Sequence, residues 1–160
     1  MSPTGRRHYP AQVRARDLAV QVPTVTPAES VWDAARIVAS GPWASVVVVD
    51  AGQRLLAVLP GSQLVGLALP EYVRDDAALA SVVDESFVDT MAPRLAAVTV
   101  AQALSDARHD PHPRVAVDAT VTQIAETMAD EETGVVVVVD DDQRVVGVVT
   151  AAAVLRFLGA

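Results

Sequence analysis

The chain of 160 residues contains no cysteine, no lysine and no asparagine. Without cysteine there can be no disulfide, no thiolate nucleophile and no thiolate-ligated zinc. All 12 basic side chains are arginine, and 20 carboxylates outnumber them to leave a formal net charge of −8. So acidic a surface repels nucleic-acid phosphate and anionic lipid, which predicts no nucleic-acid partner. Aromatic residues make up only 4% against 51% hydrophobic residues, so the core must be aliphatic, mostly Val, Ala and Leu. No apolar run reaches the roughly 18 residues that span a bilayer. The N-terminus carries charge with no apolar stretch after it, so it does not read as a signal peptide. These absences predict a soluble, cytoplasmic protein with no membrane insertion.

Catalytic motifs are missing as well. None of the 8 glycines has the spacing of a phosphate-cradling loop. No Ser, His and Asp lie in a triad-like arrangement, and no acid–base pair stands out, so no catalytic residue and no enzyme are expected. His109 and His112 lie three residues apart in "ARHDPHP", but Pro111 and Pro113 kink that stretch. Only Asp110 could join them, so it reads as a linker and not as a metal site. Arg6, Arg7, Arg14 and Arg16 are a third of the basic residues, and the start of the chain, residues 1–12, reads as a flexible basic arm, either solvated or docking an acidic partner. "DESFVD", from Asp84, reads as an acid-rich helix face. Trp32 and Trp43, near the first long helix, read as core or as partner anchors, and Tyr72 and Phe157 as core or dimer contacts.

What the sequence does contain is an internal repeat. The stretch from Val25, "VTPAESVWDAARIVASGPWASVVVVDAGQRLLAVLPGSQLVGLAL", lies without gaps on the stretch from Val115, 90 positions later. Val31 falls on Val121, Ala35 on Ala125, Val46–Asp50 on Val136–Asp140, and Gln53-Arg54 on Gln143-Arg144. Self-similarity at one fixed offset across several elements marks two copies of one unit. Each copy begins with a short extended piece (residues 24–26; 114–117) and then Ser30 or Thr120, side chains that cap helices. Val31, Ala34, Ala35 and Val38, and likewise Val121, Ile124, Ala125 and Met128, recur at helical spacing, which predicts helices over 31–40 and 121–130. Unbroken valine runs at 46–49 and 135–139 predict strands buried on both faces. A turn, a second strand (55–59; 145–149) and a last helix (62–69; 151–158) complete each copy. "DDDQR" occupies the same corner as "DAGQR", so Asp140–Asp142 read as a solvated hairpin turn and not as a cation site.

A copy of 45 to 55 residues buries too little surface to be secure alone, so the two copies are expected to pack sheet to sheet about a pseudo-two-fold axis. The intervening segment reads as helical over 77–83 and 87–91. "TVAQALS" from Thr99 echoes "VRARDLA" from Val13, which suggests a short lead-in helix before each copy. The expected division is an arm over 1–12, repeat one over 13–69, a helical linker over 70–98, and repeat two over 99–160.

The order strand–helix–strand–strand–helix, twice, with "VVVVVDDDQRVVGVVT", resembles a tandem pair of CBS domains (a Bateman module). The resemblance covers residues 13–69 and 99–158. It implies an α+β fold of two β-α-β-β-α repeats related by pseudo-two-fold symmetry. The family hallmark after the turn is Gly, two apolar residues, Ser or Thr, two variable residues and Asp. Repeat two supplies Gly147, Val148, Val149 and Thr150, but Ala153 replaces the Asp. Repeat one has Ala57, Pro60 and Gln63 at the Gly, Ser/Thr and Asp positions.

The resemblance implies clefts that bind adenosine derivatives (AMP, ADP, ATP or S-adenosylmethionine), with the Thr on phosphate and the Asp on ribose. Carried over by position, Thr150 is the phosphate contact, Ala116, Val138 and Val25 lie near the base, and Gln63 is left to meet a ribose hydroxyl. Thr150 reads equally as the cap of the last helix. Losing both hydrogen bonds of a ribose clamp costs about 3–6 kcal/mol, a weakening of roughly 100- to 10,000-fold. Two readings remain open. One is a regulatory module that binds such a ligand weakly, or binds another small molecule, for a separately encoded enzyme or transporter. The other is a dimerising scaffold with degenerate clefts. Either implies a homodimer formed through helices of both repeats.

Overall fold

The structure is a computed structural model that describes residues 12–82, 85–106 and 112–160. The basic-arm residues Arg6 and Arg7, Asp84 of the acid-rich stretch, and His109 and Asp110 of the kinked linker lie outside the described residues. The fold is α+β, with two three-stranded sheets among the described residues, ordered β1-β2-β3 and β4-β5-β6. The first sheet comprises β1 (Thr24–Val25), β2 (Ser45–Val49) and β3 (Leu55–Pro60), and the second β4 (Arg114–Ala116), β5 (Val135–Val139) and β6 (Val145–Thr150). β1 runs parallel to β2, and β4 runs parallel to β5, while β2 and β3 form an antiparallel hairpin. Every residue from Val46 to Val49 and from Val135 to Val139 is buried, as a strand covered on both faces requires.

The long helices form where the caps predict. Helix α2 (Val31–Ser40) starts at Ser30, whose hydroxyl accepts from the Asp33 amide at 3.1 Å. Helix α8 (Val121–Asp130) starts at Thr120, whose Oγ1 accepts from the Gln123 amide at 3.2 Å. Gln123 returns the bond, its Oε1 accepting from the Thr120 amide at 2.8 Å, which completes a capping box. Val31, Ala34, Ile124 and Met128 are buried as their spacing predicts, but Ala125 is exposed.

Between the repeats come α4 (Glu71–Asp75), α5 (Ala77–Ala80), a 3-10 turn (Glu85–Phe87) and α6 (Val88–Ala97). Helix α6 runs beyond the predicted 87–91 and through Pro93, whose ring has no amide hydrogen for the helical ladder. Buried Leu95 anchors α6 in the repeat-one core and outweighs that break. Tyr72 is 58% exposed, so it is not a core residue.

The hairpin corners explain the aspartates. The Asp50 carboxylate accepts from the Gly52 amide at 2.8 Å and the Arg54 amide at 2.9 Å, so its oxygen closes the turn. Gln53 and Gln143 take the same left-handed backbone, φ 64° and 63°, one turn in each repeat.

The chain forms two compact units, and they are not the two repeats as read from the sequence. Among the described residues, one unit joins the stretch ending at Gln21 to Pro113–Asp141 and Val146–Ala160. The other joins Val22 onward, through the linker to His112, to Asp142–Val145. Each has its own cluster of buried apolar side chains. The lead-in helices are exchanged. Helix α1 (Ala15–Leu18), which precedes repeat one, belongs to the unit of repeat two. Its Ala15 is fully buried there with Ile124 and Val138. Helix α7 (Val100–Asp106), which precedes repeat two, packs in the core of repeat one through Val100 and Ala103.

The two exchanges use the same hydrogen bonds. Ala15 and Arg16 donate to the carbonyls of Ala119 and Val117 at 2.8 and 3.0 Å; Val100 and Ala101 donate to those of Glu29 and Pro27 at 2.8 and 2.9 Å. Ala15 therefore corresponds to Val100. The sequence echo, which set Ala15 on Ala101, is out of register by one residue.

Candidate functional site

The candidate positions divide between the two units. In the unit of repeat two, Val138 pairs with Val115 across the parallel β4/β5 ladder, and Ala116 pairs with Val139. Val138 is 0% exposed and belongs to the core cluster, so any contact it makes with a ligand runs through its backbone. Ala116 is exposed at the end of β4. It lines a shallow cavity of about 290 Å³, together with Asp118, Gln123, Glu126 and Thr127. These polar residues were not singled out from the sequence. The available signal is the polar face of the second long helix, where Gln123, Glu126 and Thr127 fall three and four residues apart. Two carboxylates on the rim repel a phosphate and suit a base or a sugar hydroxyl.

Thr150 sits at the N-cap of α9 (Ala151–Phe157), half-buried, where its Oγ1 accepts from the Ala153 amide at 3.2 Å. The capping role is thus present in the folded chain. Thr150→Ala should cost about 1 kcal/mol and lower the melting temperature by about 2–4 °C, while Thr150→Ser should restore most of it. A differential melt of the three proteins checks this.

In the unit of repeat one, Val25 pairs with Val48 and is 0% exposed. Like Val138 it is a core residue that offers only its backbone. Gln63 is half-buried in the first turn of α3 (Gly61–Leu67). Pro60 is the N-cap of α3 and makes no side-chain capping bond. The Gly61 amide instead donates to the Ala44 carbonyl at 2.8 Å, as the Ala151 amide does to Gly134. Val25 and Pro60 lie at different ends of β2, opposite Val48 and Ser45. That is a separation of about 10 Å along the strand. The structure brings Ala116 and Val138 together across one ladder, but sets Val25 apart from the α3 end where Gln63 lies.

Gly147 has a physical reason to be glycine. Val20 and Val148 exchange amide-to-carbonyl bonds of 2.9 Å each, laying the segment after α1 against β6. A Cβ on Gly147 would stand 2.6 Å from the Val20 carbonyl oxygen. Ala57, its counterpart in repeat one, lies on a strand with no bridge to a lead-in segment among the described residues.

Among the described residues no group of three His, Cys, Asp or Glu could hold a metal ion. No described helix is long and apolar enough to cross a membrane.

The model of the CBS domain matches residues 104–160. No curated protein matches the chain. Among solved structures the chain is similar to a CBS domain-containing protein of unknown function from Kribbella flavida, with 34% identity over 92% of this chain and 99% of that one, and a TM-score of 0.78. A CBS domain-containing protein of unknown function from Bacillus anthracis shares the fold at 17% identity, covering 92% of this chain and 93% of that one, TM-score 0.69. So does CBSX2 in complex with AMP, at 17% identity over 91% of this chain and 95% of that one, TM-score 0.64; CBSX2 is a CBS-pair protein of Arabidopsis thaliana. With the repeat, the two sheets and a relative this similar over nearly its whole length, the chain belongs to the CBS-domain proteins.

Proposed function

We propose that the chain is a regulatory module that binds a small molecule and acts on a separately encoded enzyme or transporter, by binding and not by catalysis. The observation that carries this reading is the membership itself, together with a ligand-sized cavity beside Ala116. The ligand class is an adenosine derivative held weakly. Support comes from the AMP complex of a protein with the same fold and from the exposed Ala116 at the base position. Weakness follows from Ala153, Gln63 and Pro60 at the positions of the ribose and phosphate contacts. Asp118 and Glu126 offer carboxylates beside Ala116 that can accept from sugar hydroxyls. The module works as a homodimer joined through helices of both repeats.

Melting the protein with millimolar AMP, ADP, ATP or S-adenosylmethionine tests the ligand class. At ten times its dissociation constant a ligand of the folded form contributes roughly 1.4 kcal/mol, which raises the midpoint by about 3–6 °C. One of the four should do so. Flat melts for all four would favour the second reading, a dimerising scaffold with unused clefts. The specific support for that reading is Pro60, which gives a phosphate neither hydroxyl nor amide hydrogen.

A further inference from the structure

The cavity beside Ala116 is one-sided in charge. Asp118 and Glu126 line it together with Gln123 and Thr127, and among the described residues no basic side chain stands in its walls. Both carboxylates are exposed, one in the turn after β4 and one in the middle of α8. An opening with oxygen acceptors and no cation suits a guanidinium, whose five N–H groups fork onto carboxylates and onto uncharged oxygens. Ala116 adds a small apolar wall for the stem of such a side chain.

The described chain begins at the rim of this cavity. Gln12 is its first residue, and Arg14 forms a backbone bridge with Thr120. The Arg14 guanidinium donates to the Asp118 carbonyl at 3.1 Å and to the Gln12 side-chain oxygen at 2.8 Å. Residues 1–11 are therefore joined to the fold next to Asp118. They contain Arg6 and Arg7 and no carboxylate. Arg6 and Arg7 lie within about 20 Å of Gln12 even when the chain between is fully extended. The Asp140–Asp142 corner is also acidic, but Asp140 and Asp142 already have partners.

We infer that residues 1–11 dock into this cavity of their own chain, with Arg6 and Arg7 on the Asp118 and Glu126 carboxylates, and so compete with a ligand beside Ala116. The docking stands on the cavity and on where the chain enters the fold; the competition rests on the proposed function. Exposed ion pairs are weak one at a time. The tether offsets this, because it holds the arginines at an effective concentration on the order of millimolar. A weakly held ligand is one that such an arm can keep out.

Because the chain has no cysteine, Thr4→Cys supplies its only thiol and can carry a nitroxide label on the full chain, with no nucleotide added. The amide signals of Ala116, Gln123 and Thr127 should broaden strongly. Arg6→Glu with Arg7→Glu should remove most of that broadening, and adding Asp118→Arg and Glu126→Arg should bring it back. Broadening that is weak from the start, or that ignores these charges, would overturn the docking. A chain that begins at Gln12 keeps α1 and tests the competition. It should bind adenosine, which has no phosphate to attract the arginines, about threefold to tenfold more tightly than the full chain does. Equal affinities would overturn the competition. Adenosine binding to neither chain would instead sink the proposed ligand class, and the labelled chain would still decide whether the arm docks.

Discussion

Gly147→Ala should lower the melting temperature by about 6–12 °C, a loss of about 3 kcal/mol from one methyl group. The methyl would lie 2.6 Å from the Val20 carbonyl oxygen and 3.3 Å from the Ala19 side chain. The nearer atom is backbone, and both sides are held. Val20 and Val148 share two amide-to-carbonyl bonds, and β6 is fixed to β5 by the sheet. Relief requires peeling the segment 19–21 from the sheet, which gives up both bonds and uncovers Val148, now 2% exposed. Gly66→Ala is the control. Nothing lies within 4 Å of its Cβ position, and alanine favours the helix, so it should raise stability by about 0.5 kcal/mol. A Gly147→Ala protein that melts with the wild type would show that Val20 does not rest on β6.

Removing the chain before Val22 should unfold the unit of repeat two and spare the unit of repeat one, although the deleted residues adjoin repeat one in sequence. The deletion withdraws Ala15, Leu18 and Ala19 from the cluster around Ile124 and Val138. It also breaks the bonds from Ala15 and Arg16 to the 117–119 turn and the pair between Val20 and Val148. Together these contribute on the order of 5 kcal/mol, comparable with the whole stability of a small unit. Hydrogen exchange read by peptide should rise in α8, β4 and β5. It should stay slow in α2, β2 and β3, whose core is completed by α7. Faster exchange in α2 and β2 instead would mean that each lead-in helix serves the repeat it precedes.

These outcomes separate what was legible in the sequence from what was not. The two long helices were legible because their signals are local: Ser30 and Thr120 as caps, and an apolar stripe at helical spacing starting at Val31 and at Val121. The valine strands were legible because an unbroken apolar run has no solvent face to offer. The destinations of α1 and α7 were not. Helices of four and seven residues carry little periodicity, and the choice between two similar cores is made by tertiary packing. Their echo was visible but misplaced by one residue, since matching letters set Ala15 on Ala101 while the hydrogen bonds set it on Val100.

The candidate site was less legible. Val25 and Val138 were chosen by position in a motif, and position does not reveal burial; both are core. The polar lining beside Ala116 comes from a helix face whose residues look, in sequence, like any solvated surface.

The exchange of α1 and α7 also bears on how the chain is made. As it emerges from the ribosome, repeat one has its strands and helices by residue 69 but lacks α7 until residue 106 has followed. Helix α1 emerges before repeat one and waits through it, because β6, the strand that receives Val20, follows late in repeat two. A cut between the repeats would leave each fragment holding the helix that the other needs.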